Sequence, residues 1–114
     1  MTKKRVAIIG SGNIGTDLLV KFMSNENFIV HSFIGHNKDS KGLLFCNDHY
    51  PDVTTSVESI DFVKIKRNEI DILVDCTNAK QHIVFNRFYQ ECRFKVIDMT
   101  PSKIGLLTIP SIVN

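Results

Sequence analysis

The most constraining feature is a glycine turn set between two different hydrophobic periods. Val6, Ala7, Ile8 and Ile9 form a continuous apolar run, the signature of a strand buried on both faces. Gly10, Gly12 and Gly15 follow in the pattern G-x-G-x-x-G. Ile14, Leu18, Leu19 and Phe22 then recur at helical spacing. Strand, glycine turn and helix in that order are the context of a dinucleotide fingerprint. Gly10 allows a tight exit from the strand, Gly12 lets a pyrophosphate approach the backbone, and Gly15 allows close packing of helix on strand. The helix start near Asn13 offers free N–H groups and a partial positive charge. A glycine-rich turn without a ligand is the bland alternative.

The same alternation continues along the chain. The first helix spans residues 13–24, and Phe28 to Gly35 reads as a second strand. His31 lies within that strand and reads as a core or edge histidine with both nitrogens satisfied, in preference to a catalytic base. Lys41 to Tyr50 suits a short helix that Pro51 ends. Val53 to Thr55 suits a third strand, and Thr55 with Glu58 has capping-box spacing for a helix carrying Val57, Ile60 and Phe62 or Val63 inward. Ile70 to Cys76 is a fourth strand. Asn78 with Gln81 marks another helix start, with Ile83, Val84, Phe88 and Cys92 on its buried face. Phe94 to Met99 is a fifth strand, and Leu106 to Ile109 can form a sixth. Strands alternating with helices predict one α/β domain over residues 1–114, a Rossmann-type doubly wound parallel sheet with helices on both faces and strand order 3-2-1-4-5-6.

Ligands of such sheets lie beyond the carboxyl ends of the strands, where strand order reverses. The candidate cofactor contacts are therefore Gly10, Ser11, Gly12, Asn13, Ile14 and Gly15, then Asn37 and Asp39 after strand two, Thr77 and Asn78 after strand four, and Thr100 after strand five. An acidic residue about 20 positions beyond the fingerprint normally meets the ribose. Asn37 stands near that position and loses the charge assistance of a carboxylate, a difference of about 1 kcal/mol. Lys38 and Lys41 could meet a 2′-phosphate, so NAD and NADP both stay open, and the lack of arginine in the loop favours NAD. Asp75 and Asp98 end strands, with a structural role preferred for Asp75.

Other classes are disfavoured. A net charge of +2 gives no case for nucleic acid or a membrane surface. The four-residue apolar run is too short for a signal-peptide core, so a cytoplasmic setting is expected. Cys46, Cys76 and Cys92 are odd in number and widely spaced, so they read as reduced thiols with no metal site.

Several stretches resemble the acylating acetaldehyde dehydrogenases. They are Val6 to Leu18, Gly35 with Ser40-x-Gly42-Leu43, Asp75-Cys76-Thr77-Asn78-Ala79, Val96 to Gly105 with its Thr100-Pro101 pair, and Pro110-x-x-Val113-Asn114. The resemblance covers essentially the whole chain. It implies an NAD-binding domain of an enzyme that converts acetaldehyde, NAD and coenzyme A to acetyl-coenzyme A and NADH through a cysteine thiolate. In that family the cysteine follows the segment matched by Pro110 to Asn114. The resemblance thus implies a chain without catalytic residues of its own, with the catalytic and dimerisation domain absent. Cys76 stands where the family has alanine, and the adjacent Asp75 disfavours a thiolate there. The implied partners are a nicotinamide dinucleotide, a separate catalytic half and a 4-hydroxy-2-oxovalerate aldolase. Leu106, Leu107, Ile109 and Ile112 would favour self-association if left uncovered. A stand-alone nucleotide sensor or interaction module, and a Rossmann remnant without ligand, are the alternatives.

Overall fold

The computed structural model describes residues 3–92 and 95–99. Its elements run β1 (Lys4–Ile9), α1 (Asn13–Met23), β2 (Phe28–Ile34), α2 (Lys41–His49), β3 (Thr54–Ser56), α3 (Ser59–Ile65), a 3-10 turn at Arg67–Glu69, β4 (Ile72–Asp75), α4 (Ala79–Cys92) and β5 (Lys95–Asp98). All five strands are parallel, in the order β3-β2-β1-β4-β5. This is the expected order over five strands. The proposed sixth strand, the apolar segment around Leu106 and the candidate Thr100 lie outside the described residues, as do the side chains of Cys92 and Asp98.

The continuous apolar run of β1 is divided between two core layers. Val6 and Ile8 join Leu18, Leu19, Phe22, Phe33 and Leu43 beneath α1 and α2. Ala7 and Ile9 join Ile34, Val63, Leu73 and Tyr89 beneath α3 and α4. Successive strand residues point to opposite faces, so a strand covered on both sides needs apolar residues at every position. Helix α1 buries Gly15, Leu18, Leu19 and Phe22, one stripe of its surface. Each such large side chain contributes roughly 1.5–3 kcal/mol by leaving water.

The amino ends of β1 and β4 are held by an ion pair. Arg5 donates from Nε to Asp71 Oδ2 at 3.0 Å and from Nη2 to Oδ1 at 3.1 Å, while its backbone N–H also reaches Oδ2 at 2.8 Å. The Asp71 amide in turn donates to the Arg5 carbonyl at 2.9 Å. These bonds from Arg5 favour the ionised carboxylate and lower the Asp71 pKa to about 2.

Two local expectations are revised. The capping box at Thr55 does not start a helix. Thr54–Ser56 is strand, paired with Ser32–Ile34 of β2, and α3 begins only at Ser59. Ser56 Oγ instead accepts the Glu58 N–H at 3.1 Å in the connecting turn, and Val57 is exposed. Strand β2 is also irregular. Val6 pairs with Val30 but Ala7 pairs with Ser32, so His31 is an extra residue in a β-bulge. His31 Nε2 lies 3.2 Å from Glu69 Oε1, and this bond lowers the Glu69 pKa. The buried Nδ1 has no hydrogen-bond partner among the described residues. The expectation of two satisfied nitrogens is met at one.

Candidate nucleotide site

The carboxyl end of β1 is extended on both sides before the chain turns. Gly10 N–H donates to the Ile34 carbonyl at 2.7 Å, and Cys76 N–H donates to the Ile9 carbonyl at 2.7 Å. This ladder holds the turn between the ends of β2 and β4, at the place where strand order reverses. Gly10 takes φ +111°, and a Cβ there would stand 2.6 Å from the Cys76 carbonyl oxygen. A Cβ on Gly15 would overlap the Gly10 carbonyl oxygen. Both positions therefore exclude side chains on conformational or steric grounds.

Gly12 differs. It is the N-cap of α1 in extended conformation, and a Cβ there would meet nothing within 4 Å. The space above it is open. No side chain caps the helix, and its first turn holds no acidic residue. The N-cap carbonyl of Gly12 accepts the Thr16 N–H at 2.9 Å, the opening bond of the helix. The N–H groups of Asn13, Ile14 and Gly15 precede it and form the positive end of the helix dipole. A pyrophosphate suits such a group of donors. Asn13 is exposed beside them, whereas Ile14 is half-buried and packs on the first core layer.

The flanking loops bring the remaining candidates to the same end of the sheet. Asp75 is fully buried. Its Oδ1 accepts the Thr77 N–H at 2.9 Å and the Thr77 hydroxyl at 2.5 Å, which fixes the turn after β4. That is the structural role preferred for Asp75. Thr77 is itself buried, with Asn78 exposed next to it at the entry to α4. After β2, Asn37 Oδ1 accepts the Asp39 N–H at 2.9 Å, so its carbonyl oxygen shapes the loop. Asp39, Lys38 and Lys41 are exposed.

Two hollows meet at the turn. A crevice of about 70 Å³ lies over the strand ends, between Gly10, His36 and Thr77. An open groove of about 670 Å³ starts at Ser11 and Gly12 and runs between α1 and α2 past Ser40, Lys41 and Phe45. The crevice has the right position for a dinucleotide but is too small for more than a fragment. The groove has the volume but lies beside the switch point. Among the described residues no cluster of His, Cys, Asp and Glu could hold a metal ion, and no helix is long and apolar enough to cross a membrane.

Residue-by-residue reasoning did not place Ser40 at the site. It caps α2, accepting the Leu43 N–H at 3.3 Å, and its hydroxyl lies 3.0 Å from that of Ser11. Serine ahead of a short apolar helix was the available signal for the cap. The contact with Ser11 depends on tertiary packing. His36, exposed in the loop after β2, lines the crevice wall.

No family model matches the chain. Curated relatives do. An acetaldehyde dehydrogenase of Burkholderia pseudomallei (strain 668) is 40% identical over 114 residues, 97% of this chain and 37% of the relative. One from Pectobacterium atrosepticum is 41% identical over 110 residues, 96% of this chain and 36% of the relative. Among solved structures, an NAD-binding protein from Listeria innocua superposes with a TM-score of 0.69 at 16% identity, over 85% of this chain and 27% of its own. The repressor RSP, solved in complex with β-NAD+ and operator DNA, gives 0.63 at 24% identity, over 96% of this chain and 48% of its own. At such identities the structural likeness bears on the fold alone. The chain is thus a homologue of curated acetaldehyde dehydrogenases, of which it spans about 37% of the length, and it has the α/β architecture of NAD-binding Rossmann proteins.

Proposed function

We propose that this chain is the nucleotide-binding part of an acylating acetaldehyde dehydrogenase and binds NAD without performing the aldehyde chemistry itself. The observation that carries this reading is the α1 start. Its donors are uncapped, Gly12 leaves the approach open, and Gly10 and Gly15 lock the turn behind it. The residues fit the cofactor. Backbone groups at Ser11, Gly12, Asn13 and Ile14 would hold the pyrophosphate, and Thr77, Asn78 and Thr100 would face the nicotinamide half. Asn37 and Asp39 would face the adenine ribose. Because Asn37 Oδ1 already accepts the Asp39 amide, the Asp39 carboxylate is the better acceptor for a ribose hydroxyl.

When bound, the nicotinamide ring supplies a hydride acceptor. This chain's own residues bind and orient the dinucleotide. The reading places the aldehyde and coenzyme A chemistry in the length of the relatives that this chain does not match, with an aldolase and self-association as further partners. Calorimetric titration of the chain with NAD and then NADP tests it. Saturable binding of NAD, weaker for NADP and reduced about tenfold by Asp39→Asn, is expected. Tighter binding of NADP would assign Lys38 or Lys41 to a 2′-phosphate. No binding of either nucleotide by the folded chain would overturn the reading in favour of a fold without ligand.

A further inference from the structure

Two glycines outside the fingerprint press on it from the side of β2 and α2. Gly35 follows β2 directly and is buried. A Cβ there would overlap Ser11 Oγ and stand 3.2 Å from Ser11 Cβ and 3.1 Å from Leu43 Cδ1. Gly42, in the first turn of α2, is also buried. A Cβ there would overlap the Ser11 carbonyl oxygen and stand 2.7 Å from Thr16 Oγ1. The Ser40 hydroxyl completes the contact by meeting that of Ser11. Ser11 is therefore enclosed on its side chain by Gly35 and on its backbone by Gly42. It immediately precedes Gly12, where the approach to the α1 donors is open.

We propose that Gly35 and Gly42 are positioning residues for the phosphate turn. Their missing side chains let the loop after β2 and the start of α2 seat directly on Ser11, so the part that would meet the ribose and the part that would meet the pyrophosphate keep one fixed separation. This rests on the nucleotide reading above. The two glycines act on different atoms. A methyl at Gly35 displaces the Ser11 hydroxyl, a movable group, and breaks its contact with Ser40. A methyl at Gly42 meets a backbone carbonyl, and the turn itself must move.

That difference defines the test. NAD affinity is measured for Gly35→Ala, Gly42→Ala and Ser11→Gly, and for each glycine substitution combined with Ser11→Gly. Gly35→Ala weakens binding about tenfold, the order of one charge-assisted hydrogen bond to phosphate. Adding Ser11→Gly brings affinity back to within about twofold of Ser11→Gly alone, because Ser11 Oγ and Cβ are gone and the one close atom left, Leu43 Cδ1, is the movable end of a side chain. Gly42→Ala weakens binding further and is not rescued, because its obstructing atom is main chain. Unaltered binding by Gly35→Ala, or a double variant no better than Gly35→Ala alone, would overturn the proposal.

If Gly35→Ala fails to fold, the double variant decides. Folding and binding at the level of Ser11→Gly support the proposal, and failure overturns it. If the unaltered chain does not bind NAD, it is the nucleotide reading that fails. The positioning claim is then read from the amide resonances of Gly12 and Asn13. Displacement in Gly35→Ala that reverts in the double variant upholds it, and unmoved resonances overturn it.

Discussion

Replacing Gly10 and Gly12 separately by alanine should divide folding from binding. At Gly10, alanine must adopt φ +111° and bring its Cβ to 2.6 Å from the Cys76 carbonyl oxygen. The backbone conformation alone costs about 1–3 kcal/mol, and the overlap adds roughly 1–3 kcal/mol. A total of about 2–6 kcal/mol follows. At some 4 °C per kcal/mol for a domain of this size, the midpoint of thermal unfolding falls by about 8–24 °C. At Gly12, φ is −77° and nothing lies within 4 Å. Alanine is a poorer N-cap than glycine by up to about 1 kcal/mol, and stiffening the unfolded chain returns about 0.4–1 kcal/mol. These nearly cancel, so Gly12→Ala should unfold within a few degrees of the unaltered chain. The added methyl would occupy the phosphate approach and reduce NAD affinity at least tenfold. Circular dichroism melts and calorimetric titration measure the two quantities. The reasoning is refuted if Gly12→Ala loses as much stability as Gly10→Ala, or if it binds NAD as tightly as the unaltered chain.

The remaining predictions concern other parts of the fold. Asp71 has its pKa lowered to about 2 by Arg5, so the clamp's contribution is present above the ordinary carboxylate range and is lost as pH falls through about 2. The pair is partly exposed, so solvent screening keeps that contribution small. Urea unfolding between about pH 4 and 2 should show that loss in the unaltered chain and not in Asp71→Asn. Ser40→Ala removes the α2 cap and should cost about 1 kcal/mol of stability in the same assay. Cys46 is fully buried, and burial raises its pKa to about 11. Alkylation at neutral pH should leave it unmodified in the folded chain and modify it in denaturant, as mass spectrometry would show.

Local patterns carried most of the fold. The run Val6 to Ile9 and the stripe of Leu18, Leu19 and Phe22 are periodic, and the glycines between them have conformational meaning within a few residues. Strand order followed from alternation and handedness. The misplaced helix start at Thr55 shows where local reasoning stops. A threonine three residues before a glutamate satisfies the capping pattern, but pairing with Ser32–Ile34 claims that backbone for the sheet. The site divides in the same way. The fingerprint was legible because its parts are adjacent in sequence. The enclosure of Ser11 was not, because Gly35 and Gly42 acquire their meaning only when β2 and α2 fold back over it. The Asn37 amide likewise looked available for a ribose until its oxygen was found shaping its own loop.

The bulge at His31 gives β2 an unusual relation to its own sequence. Below it, Phe28 and Val30 face the layer under α1 and α2. Above it, Phe33 faces that same layer and Ile34 the opposite one. Even positions point one way in the lower half and odd positions in the upper half. The strand thus behaves as an ordinary alternating strand into which one residue has been spliced, with a frameshift of facing at the splice. Excision of His31 would put both halves back in phase and leave every flanking apolar residue on its present side. Excision of Ile29 would turn the residues below the cut inside out relative to those above it. For this strand, the tolerance of a deletion is set by its position relative to the frameshift, and a half-buried histidine paired with Glu69 marks where that boundary lies.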